Sequence, residues 1–339
     1  IATGASIGLA ATPAAAFQRV GKRKVLVFSG GQPVPVLDPH VRYDYSTRMM
    51  QLAIYDGLLK YEGNPPKVAP WLAKSWDVSP DGLTYTFHLV DNAKFHNGDP
   101  VDAEAVRFSF ERGLKLNKGV AWMLKGHLDP TGVAAPDPHT VVFKLPRPFP
   151  GFVSFVPWWF VVNPKQVTAN AKNDDYGQDW LTAHEAGSGP FAIRRWDAQS
   201  VMDLRAVPDY WHGWPMGDAH RLDGVILQVI REPAPRRLAL LHGSADMITD
   251  MTPQNYDELA KAKGVVVPSY PGMTPFTVEM NTAHGPTADL NLRKAIAYAV
   301  NYNAFIEVEN GHAKLMDSPF PSALADHIAV PDMPRQDLA

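Results

Sequence analysis

Residues 71–89, WLAKSWDVSPDGLTYTFHL, decide the fold of this chain. Apolar and polar side chains alternate over residues 83–89, which is the pattern of a half-buried strand. Pro80 presets the backbone for a turn, and Gly82 allows the chain to complete the reversal. The stretch therefore predicts a β-hairpin in which residues 76–78 fold back on residues 83–89.

A helix is predicted directly after this hairpin. Ala103, Val106 and Phe110 lie at helical spacing behind Asp102, a short polar residue that can cap the first free backbone amides. Gly113 supplies a position at which this helix can end. The hairpin, the intervening loop and the helix are therefore expected to form one structural unit.

Three runs in and around this unit carry a resemblance to a known family. They are APWLAKSW at 69–76, SPDGLTYTF at 79–87 and KFHNGDPVDAEAV at 94–106. Together they resemble the signature block of the family 5 bacterial extracellular solute-binding proteins. Members of that family are periplasmic receptors of ABC importers for dipeptides, oligopeptides, nickel complexes and related solutes. The resemblance implies an α/β, periplasmic-binding-protein-like two-lobe fold of type II, large cluster C.

The same resemblance implies a domain organisation. Residues 18–272 are expected to form lobe I, with an inserted subdomain at about residues 61–187. Residues 273–339 are expected to be the N-terminal part of lobe II, because family members continue further before the chain returns to lobe I. An incomplete lobe II would leave apolar surface exposed.

The first 17 residues predict export. Residues 1–17 carry no charge and are small and apolar up to the run Ala14-Ala15-Ala16, as in the end of a secretory signal. A flexible tail of small residues is the alternative. No other segment approaches the roughly 18 uninterrupted apolar residues of a membrane span. Together with the absence of cysteine, which excludes a lipidated cysteine, this favours a soluble protein of the Gram-negative periplasm.

Composition limits the classes of partner. A chain of 339 residues with 45% hydrophobic side chains can build a sizeable core and more than one domain. A net charge of −3 gives no electrostatic basis for binding nucleic acid. The expected partner is a small solute, and the whole receptor is expected to be a monomer. The 12 histidines are scattered without ligand-like spacing, so neither a metal nor a cofactor is predicted.

Two candidate ligand contacts precede the hairpin. Leu37 opens an LDP loop that resembles the place where the family's first strand delivers the chain to the ligand cleft. Behind Ser46, apolar residues at helical spacing predict a helix, and Arg48 lies near its start. A solvated helix charge is the ordinary interpretation of Arg48, whereas the resemblance implies that this end of the helix faces the cleft.

Three tryptophans are further candidates. Trp158 and Trp159 follow Pro157 and offer large flat faces with one N–H donor each, which suits the wall of a cleft. Trp122 occupies a similar position by the family resemblance. For all three, the alternative of a plain core residue stays open.

The last candidates come from the predicted crossing into lobe II. The run EMNT at 279–282, followed by an amphipathic helix over residues 292–300, resembles that crossing in the family. Phe276 and Asn281 would then lie beside the hinge. The Asn281 amide offers donors and an acceptor suited to a peptide backbone, and its alternative role is a turn former at a strand end.

The mechanism that the resemblance implies is capture between two lobes without catalysis. A solute that bridges both lobes stabilises the closed form, which a permease in the inner membrane then recognises. A peptide is the favoured solute, and a nickel complex or another non-peptide solute is the second hypothesis. The third is a secreted serine hydrolase using Ser6, since residues 4–8 fit G-x-S-x-G but lack the preceding strand of a nucleophile elbow.

Overall fold

The structure is a computed structural model that describes residues 18–214, 217, 221–270, 272, 275–322, 324, 327–331 and 333–337. The predicted export signal at residues 1–17, including Ser6, lies outside the described residues.

The described residues form a mixture of strands and helices. The strands are β1 (Gln18–Val20), β2 (Arg23–Gly30), β3 (Leu59–Glu62), β4 (Lys67–Pro70), β5 (Ala73–Val78), β6 (Thr84–Leu89), β7 (Val133–Asp137), β8 (Thr140–Lys144), β9 (Phe191–Asp197), β10 (Val201–Ala206), β11 (Gly224–Val229) and β12 (Met247–Ile248). The α-helices are α1 (Tyr45–Ile54), α2 (Ala103–Leu116), α3 (Phe152–Phe155), α4 (Pro164–Ala169), α5 (Gln178–Ala183), α6 (Pro233–Leu241), α7 (Pro253–Ala260), α8 (Leu290–Ala299) and α9 (Tyr302–Val308). Short 3-10 helices occur at Gly119–Met123, Pro130–Gly132, Val156–Trp158 and Pro286–Ala288.

Contacts divide the chain into two compact units. The first comprises Ile1–Lys60 and Val68–Asp250, and the second comprises Tyr61–Lys67 and Met251–Ala339. Compact units are defined by packing, whereas lobes are defined by their relative movement. The lobe boundaries at residues 18–272 and 273–339, and the inserted subdomain at about residues 61–187, therefore stay predictions.

The larger sheet of the first unit has the strand order β1, β2, β11, β10, β9, and β12 also pairs with β2. β2 and β11 are parallel, with Gly224 opposite Val25, whereas β9 and β10 form an antiparallel hairpin. The residues of β2 are mostly buried, as Val25 and Val27 illustrate. The loop that leaves β2 carries Leu37 and leads into α1.

The smaller sheet of the first unit has the order β5, β6, β8, β7, with all pairs antiparallel. Trp76 pairs with Phe87, and Gly82 in the connecting turn has a φ of 68°. That positive φ is the conformation for which glycine is favoured. The hairpin predicted from residues 71–89 is therefore confirmed.

The α2 helix packs on β7 and β8, and its aromatic face forms part of the core of this unit. Phe110 stacks on Trp159 with ring centroids 4.8 Å apart and contacts Phe143 edge to face. The Asp102 carboxylate accepts a hydrogen bond from the Ala105 amide at 2.9 Å, which confirms the predicted cap.

One predicted helix limit was wrong. The α2 helix continues past Gly113 to Leu116 and ends at Asn117, which adopts a left-handed conformation. A glycine is needed at position 113 because a Cβ there would lie 2.4 Å from the Trp159 ring. The helix predicted behind Ser46 is α1, which begins at Tyr45 and is capped by Asp44, whose side chain accepts a hydrogen bond from the Thr47 amide.

The second unit contains α7, α8 and α9. The α8 helix covers the region predicted as amphipathic, but none of its residues is buried, so its apolar stripe remains at least partly exposed. Asp289 caps this helix by accepting hydrogen bonds from the amides of Asn291 and Leu292. Among the residues placed by the structure, no helix is both long enough and apolar enough to cross a membrane.

Candidate functional site

Four side chains from three separate segments meet on the surface of the first unit. The Trp122 indole N–H donates to the Tyr43 hydroxyl at 3.0 Å, and the Tyr43 ring meets Trp158 edge to face at 6.2 Å. The Arg48 guanidinium lies 5.0 Å from the centre of the Trp158 ring. We refer to Tyr43, Arg48, Trp122 and Trp158 as the aromatic platform.

Local structure explains how each member reaches the platform. Tyr43 directly precedes Asp44, the residue that caps α1, and Arg48 lies in the first half of that helix. Trp122 lies in the 3-10 helix Gly119–Met123, and Trp158 ends the 3-10 helix Val156–Trp158. Tyr43, Trp122 and Trp158 therefore lie on a loop or on short helical turns, where binding residues are concentrated in folded proteins, whereas Arg48 lies in the helix α1.

Arg48 is held by backbone and aromatic groups together. Its two terminal nitrogens donate to the carbonyls of Pro157 and Trp158 at 2.6 and 3.1 Å. Its guanidinium also stacks over the Phe160 ring, 3.9 Å from the ring centre. Such cation–π contacts contribute about 0.5 to 2 kcal/mol each. Arg48 is thus an ordered side chain rather than a solvated helix charge, and its contact with a ligand stays a prediction.

The platform is accessible to a solute. Trp122 is 60% exposed and Tyr43 is 37% exposed, while Trp158 is partly buried against the core. Exposed tryptophan rings cost free energy in water unless a partner covers them. Flat rings that are held in place by hydrogen bonds and by a cation can therefore receive an apolar or cationic group of a ligand.

Leu37 and Trp159 are not part of this surface. Both side chains are buried, Leu37 in the core below the larger sheet and Trp159 in the core formed with α2. The nearly parallel stack of Trp159 on Phe110, with an interplanar angle of 9°, agrees with the alternative that Trp159 is a core residue. In this structure neither side chain is available to a ligand.

Phe276 and Asn281 belong to the second unit. Phe276 is 86% exposed. The side-chain oxygen of Asn281 accepts hydrogen bonds from the amides of Ala283 and His284 at 2.9 and 3.0 Å. This is the geometry of the turn former that was the alternative role of Asn281. Whether either residue contacts a ligand stays a prediction.

Tyr43 was missed by sequence reasoning, and so was a buried polar cluster behind the platform. Arg112 donates to both carboxylate oxygens of Asp38, at 3.0 and 2.6 Å, and to Nδ1 of His40 at 2.9 Å. All three side chains are at most 1% exposed. Burial and the positive charge of Arg112 lower the pKa of His40 to about 4. We refer to Asp38, His40 and Arg112 as the buried clamp.

A second buried carboxylate organises another part of the first unit. Asp56 accepts hydrogen bonds from the indoles of Trp71 and Trp211 at 2.7 and 2.9 Å, and from the hydroxyls of Tyr210 and Ser188 at 2.9 Å. Burial raises the pKa of Asp56, while these four hydrogen bonds act in the opposite direction. The four donors are neutral side chains from three further segments, so the Asp56 carboxylate links these segments; we refer to this cluster as the Asp56 hub.

Among the residues that the structure describes, no three His, Cys, Asp or Glu side chains are grouped so that they could hold a metal ion. A surface cavity of about 550 Å³ is lined by residues that include Asp99, Asn163 and Lys165. The Asp99 carboxylate already accepts hydrogen bonds from Asn163 at 2.9 Å and from Lys165 at 3.1 Å. This cavity shares no residue with the platform.

Comparison with solved structures defines the class of fold. DppA from Helicobacter pylori, an ABC transporter-associated periplasmic binding protein in complex with the peptide STSA, matches with a TM-score of 0.81 at 26% identity, over 93% of this chain and 64% of that chain. NikZ from Campylobacter jejuni in complex with Ni(L-His) matches with a TM-score of 0.75 at 19% identity, over 92% of this chain and 60% of that chain. The chain thus has the α/β periplasmic-binding-protein fold, and the predicted fold class is confirmed.

Comparison of sequences identifies the family. The model of the bacterial extracellular solute-binding proteins, family 5 Middle, matches residues 67–339, so the chain belongs to family 5. The probable D,D-dipeptide-binding periplasmic protein DdpA of Escherichia coli K12 is 31% identical over 309 residues, or 89% of this chain and 58% of that protein. The glutathione-binding protein GsiB of Salmonella typhimurium is 27% identical over 326 residues, or 95% of this chain and 60% of that protein. The chain therefore spans about three fifths of the length of these relatives.

Proposed function

We propose that this protein is a periplasmic receptor that captures a di- or oligopeptide and delivers it to an ABC permease in the inner membrane. The chain belongs to a family of solute-binding proteins, and the relatives whose names state a ligand include dipeptide-, glutathione- and di/tripeptide-binding proteins. The periplasmic location rests on the names of DdpA and DppA. These names describe the relatives, and they support the same class of solute for this protein.

The aromatic platform is the observation that carries the proposal. Tyr43, Trp122 and Trp158 present rings of which Trp122 is the most exposed, and Arg48 lies against Trp158. Aromatic walls accept side chains of different shape, whereas hydrogen-bonding groups select the peptide backbone. A surface of this kind fits a receptor that tolerates several peptides better than it fits a site built for one rigid molecule.

Capture requires that the bound solute favours one conformation of the receptor over another. A ligand shifts a two-state equilibrium only by its difference in affinity for the two states, and a shift from 1:99 to 99:1 takes about 5.5 kcal/mol. In this proposal the platform supplies part of that free energy. Phe276 and Asn281 remain proposed contacts from the second unit. No covalent chemistry is part of this function, so we propose that the protein is not an enzyme.

A metal chelate is the second candidate solute. NikZ in complex with Ni(L-His) and NikA from Brucella suis in complex with Fe(III)-EDTA share this fold, at 19% and 25% identity. A chelate brings its own metal ligands, so it needs no protein cluster of histidines or carboxylates. Aromatic rings and an arginine could hold such a chelate through its organic part.

Calorimetry on platform variants tests the proposal. We expect Trp122→Ala to weaken the binding of a di- or tripeptide to the full-length protein about tenfold, which corresponds to about 1.4 kcal/mol. Trp180→Ala is the matched control, because its ring stacks on His184 instead. Equal peptide affinity of the wild type and Trp122→Ala would remove the platform from the binding site. Binding of a nickel–histidine complex but of no peptide would select the second candidate.

A further inference from the structure

The buried clamp contacts the backbone of each segment that carries an aromatic member of the platform. Asp38 and His40 precede Tyr43 in the same loop, and the Asp38 carboxylate accepts the His40 amide at 3.0 Å. The His40 Nε2 atom lies 2.9 Å from the Phe160 carbonyl oxygen, two residues after Trp158. The clamp therefore ties the Tyr43 loop to the Trp158 segment.

Gly119 brings the Trp122 segment against the same loop. It has a φ of +47°, and a Cβ at this position would lie 2.5 Å from the His40 carbonyl oxygen. No side chain larger than hydrogen fits there without displacing one of the two backbones. The 3-10 helix that carries Trp122 begins at Gly119, so the position of the His40 backbone determines where this helix packs.

The hydrogen bonds of His40 define its protonation state. A carbonyl oxygen only accepts, so the nitrogen that faces Phe160 must carry the proton. Guanidinium N–H groups only donate, so the nitrogen that faces Arg112 must be unprotonated. Both ring nitrogens are therefore matched to their partners only in the neutral Nε2–H tautomer, and the ring links Arg112 to the Phe160 backbone.

Stability alone does not explain why the ion pair between Asp38 and Arg112 is buried behind the platform. Removing two charges from water costs several kcal/mol per ion, and well-packed apolar residues often stabilise a fold equally well. What the apolar alternative lacks is directionality, since hydrogen bonds fix both distance and angle. A directional cluster directly behind a binding surface is suited to holding that surface in one geometry.

We propose that Asp38, His40 and Arg112 are positioning residues for solute binding, which set the relative placement of Tyr43, Trp122 and Trp158. This inference rests on the proposed function, because it assigns the clamp to the same platform. None of the three residues touches the solute. They affect affinity through two contacts of His40. Its carbonyl oxygen packs against Gly119, and its ring Nε2–H donates to the Phe160 carbonyl oxygen.

Fluorine NMR tests this role without requiring a ligand. The full-length protein is labelled with 5-fluorotryptophan, and the signals of Trp122 and Trp158 are assigned from their Trp→Phe variants. We expect His40→Ala to shift or broaden both signals. The matched control is Ser188→Ala, which removes one donor from the Asp56 hub and should affect Trp71 and Trp211 while leaving the Trp122 signal unchanged.

Affinity provides the second readout, with the dipeptide Ala-Ala as the probe. His40→Ala should weaken binding at least tenfold while thermal unfolding stays cooperative. His40→Gln should recover most of this loss, because its amide nitrogen can donate to the Phe160 carbonyl oxygen in place of Nε2. If the role of His40 were purely structural, the change in the Trp122 and Trp158 signals would not be accompanied by a loss of affinity that the conservative variant restores.

The outcomes separate this inference from the proposed function. If His40→Ala does not fold, His40→Asn takes its place, since its amide oxygen can still accept from Arg112 while the hydrogen bond to the Phe160 carbonyl oxygen is lost. Unchanged Trp122 and Trp158 signals in the folded variant would overturn the positioning role, even if the wild type binds peptide. If the signals move but the wild type binds neither peptide nor metal chelate, it is the proposed function that fails.

Discussion

Trp158 and Trp159 are neighbours in the chain with different environments. Trp158 is partly buried beside Tyr43 and the Arg48 guanidinium, whereas Trp159 is fully buried on Phe110. We expect Trp158→Ala to weaken solute binding without unfolding the protein. Trp159→Ala should instead lower the free energy of unfolding by about 3 to 5 kcal/mol, because it leaves a large core cavity.

Calorimetry and urea unfolding of both variants check this pair of expectations. A Trp158→Ala protein with unchanged solute affinity and a lowered melting temperature would assign Trp158 to the core as well.

His40 links stability to pH. Its pKa is lowered from 6.5 to about 4 in the folded protein, so between these values the unfolded chain binds a proton that the folded chain does not. The neutral form of His40 therefore contributes its full share to the free energy of unfolding above pH 6.5, and this contribution is lost as the pH falls toward 4. Its full size is about 3 kcal/mol, at about 1.4 kcal/mol for each unit of pKa.

Urea unfolding at several pH values between 7 and 4.5 measures this effect. His40→Asn does not titrate in this range, so its free energy of unfolding should fall less steeply than that of the wild type. The comparison cancels other titrating groups, including His96, whose pKa is raised by the Glu185 carboxylate although burial opposes this. Parallel pH profiles of wild type and variant would contradict a neutral, buried His40.

At the scale of elements, Gly113 shows how packing overrides helix propensity. Alanine is preferred over glycine inside a helix by about 1 kcal/mol. However, a Cβ at position 113 would lie 2.4 Å from the Trp159 ring, and overpacking of this kind costs about 1 to 3 kcal/mol. We therefore expect Gly113→Ala to destabilise the protein, as measured by urea unfolding.

Lys115→Ala is the control in the same helix, because Lys115 is exposed and its substitution should change stability by less than about 0.5 kcal/mol. A Gly113→Ala protein more stable than the wild type would show that the Trp159 ring can move away.

Local patterns predicted elements well and their limits less well. The alternation of residues 83–89 and the Asp102 cap identified a hairpin and a helix that the structure contains. The end of α2 was misplaced at Gly113, because a glycine required for tertiary contact looks the same in sequence as one that ends a helix. No cap was predicted for α1, and Asp44, which caps it, lies two residues before Ser46.

The sequence indicated only part of the proposed platform, for a related reason. Arg48, Trp122 and Trp158 were candidate ligand contacts and lie together in the structure, while Tyr43 and the buried clamp were not among the candidates. The contact between Asp38 and Arg112 joins positions 74 residues apart, and no local pattern reports such a pairing. The one available signal for Tyr43 was an aromatic residue directly before a helix cap.

At the scale of the whole molecule, the fold class was accessible from sequence because long runs of the chain resemble one family. The family match over residues 67–339 confirms that inference. The identity of the solute was not accessible. The chain spans about three fifths of the length of its relatives, and the names of those relatives state different ligands.

In the proposed function, the protein captures a peptide-type solute and performs no chemistry on it. Mass spectrometry of solute released from the full-length protein, purified without refolding, tests this most directly. We expect one or more short peptides, present at close to one per protein and chemically unchanged after incubation. A metal chelate retained in place of peptides, or cleavage of the retained peptides during incubation, would contradict the proposed function.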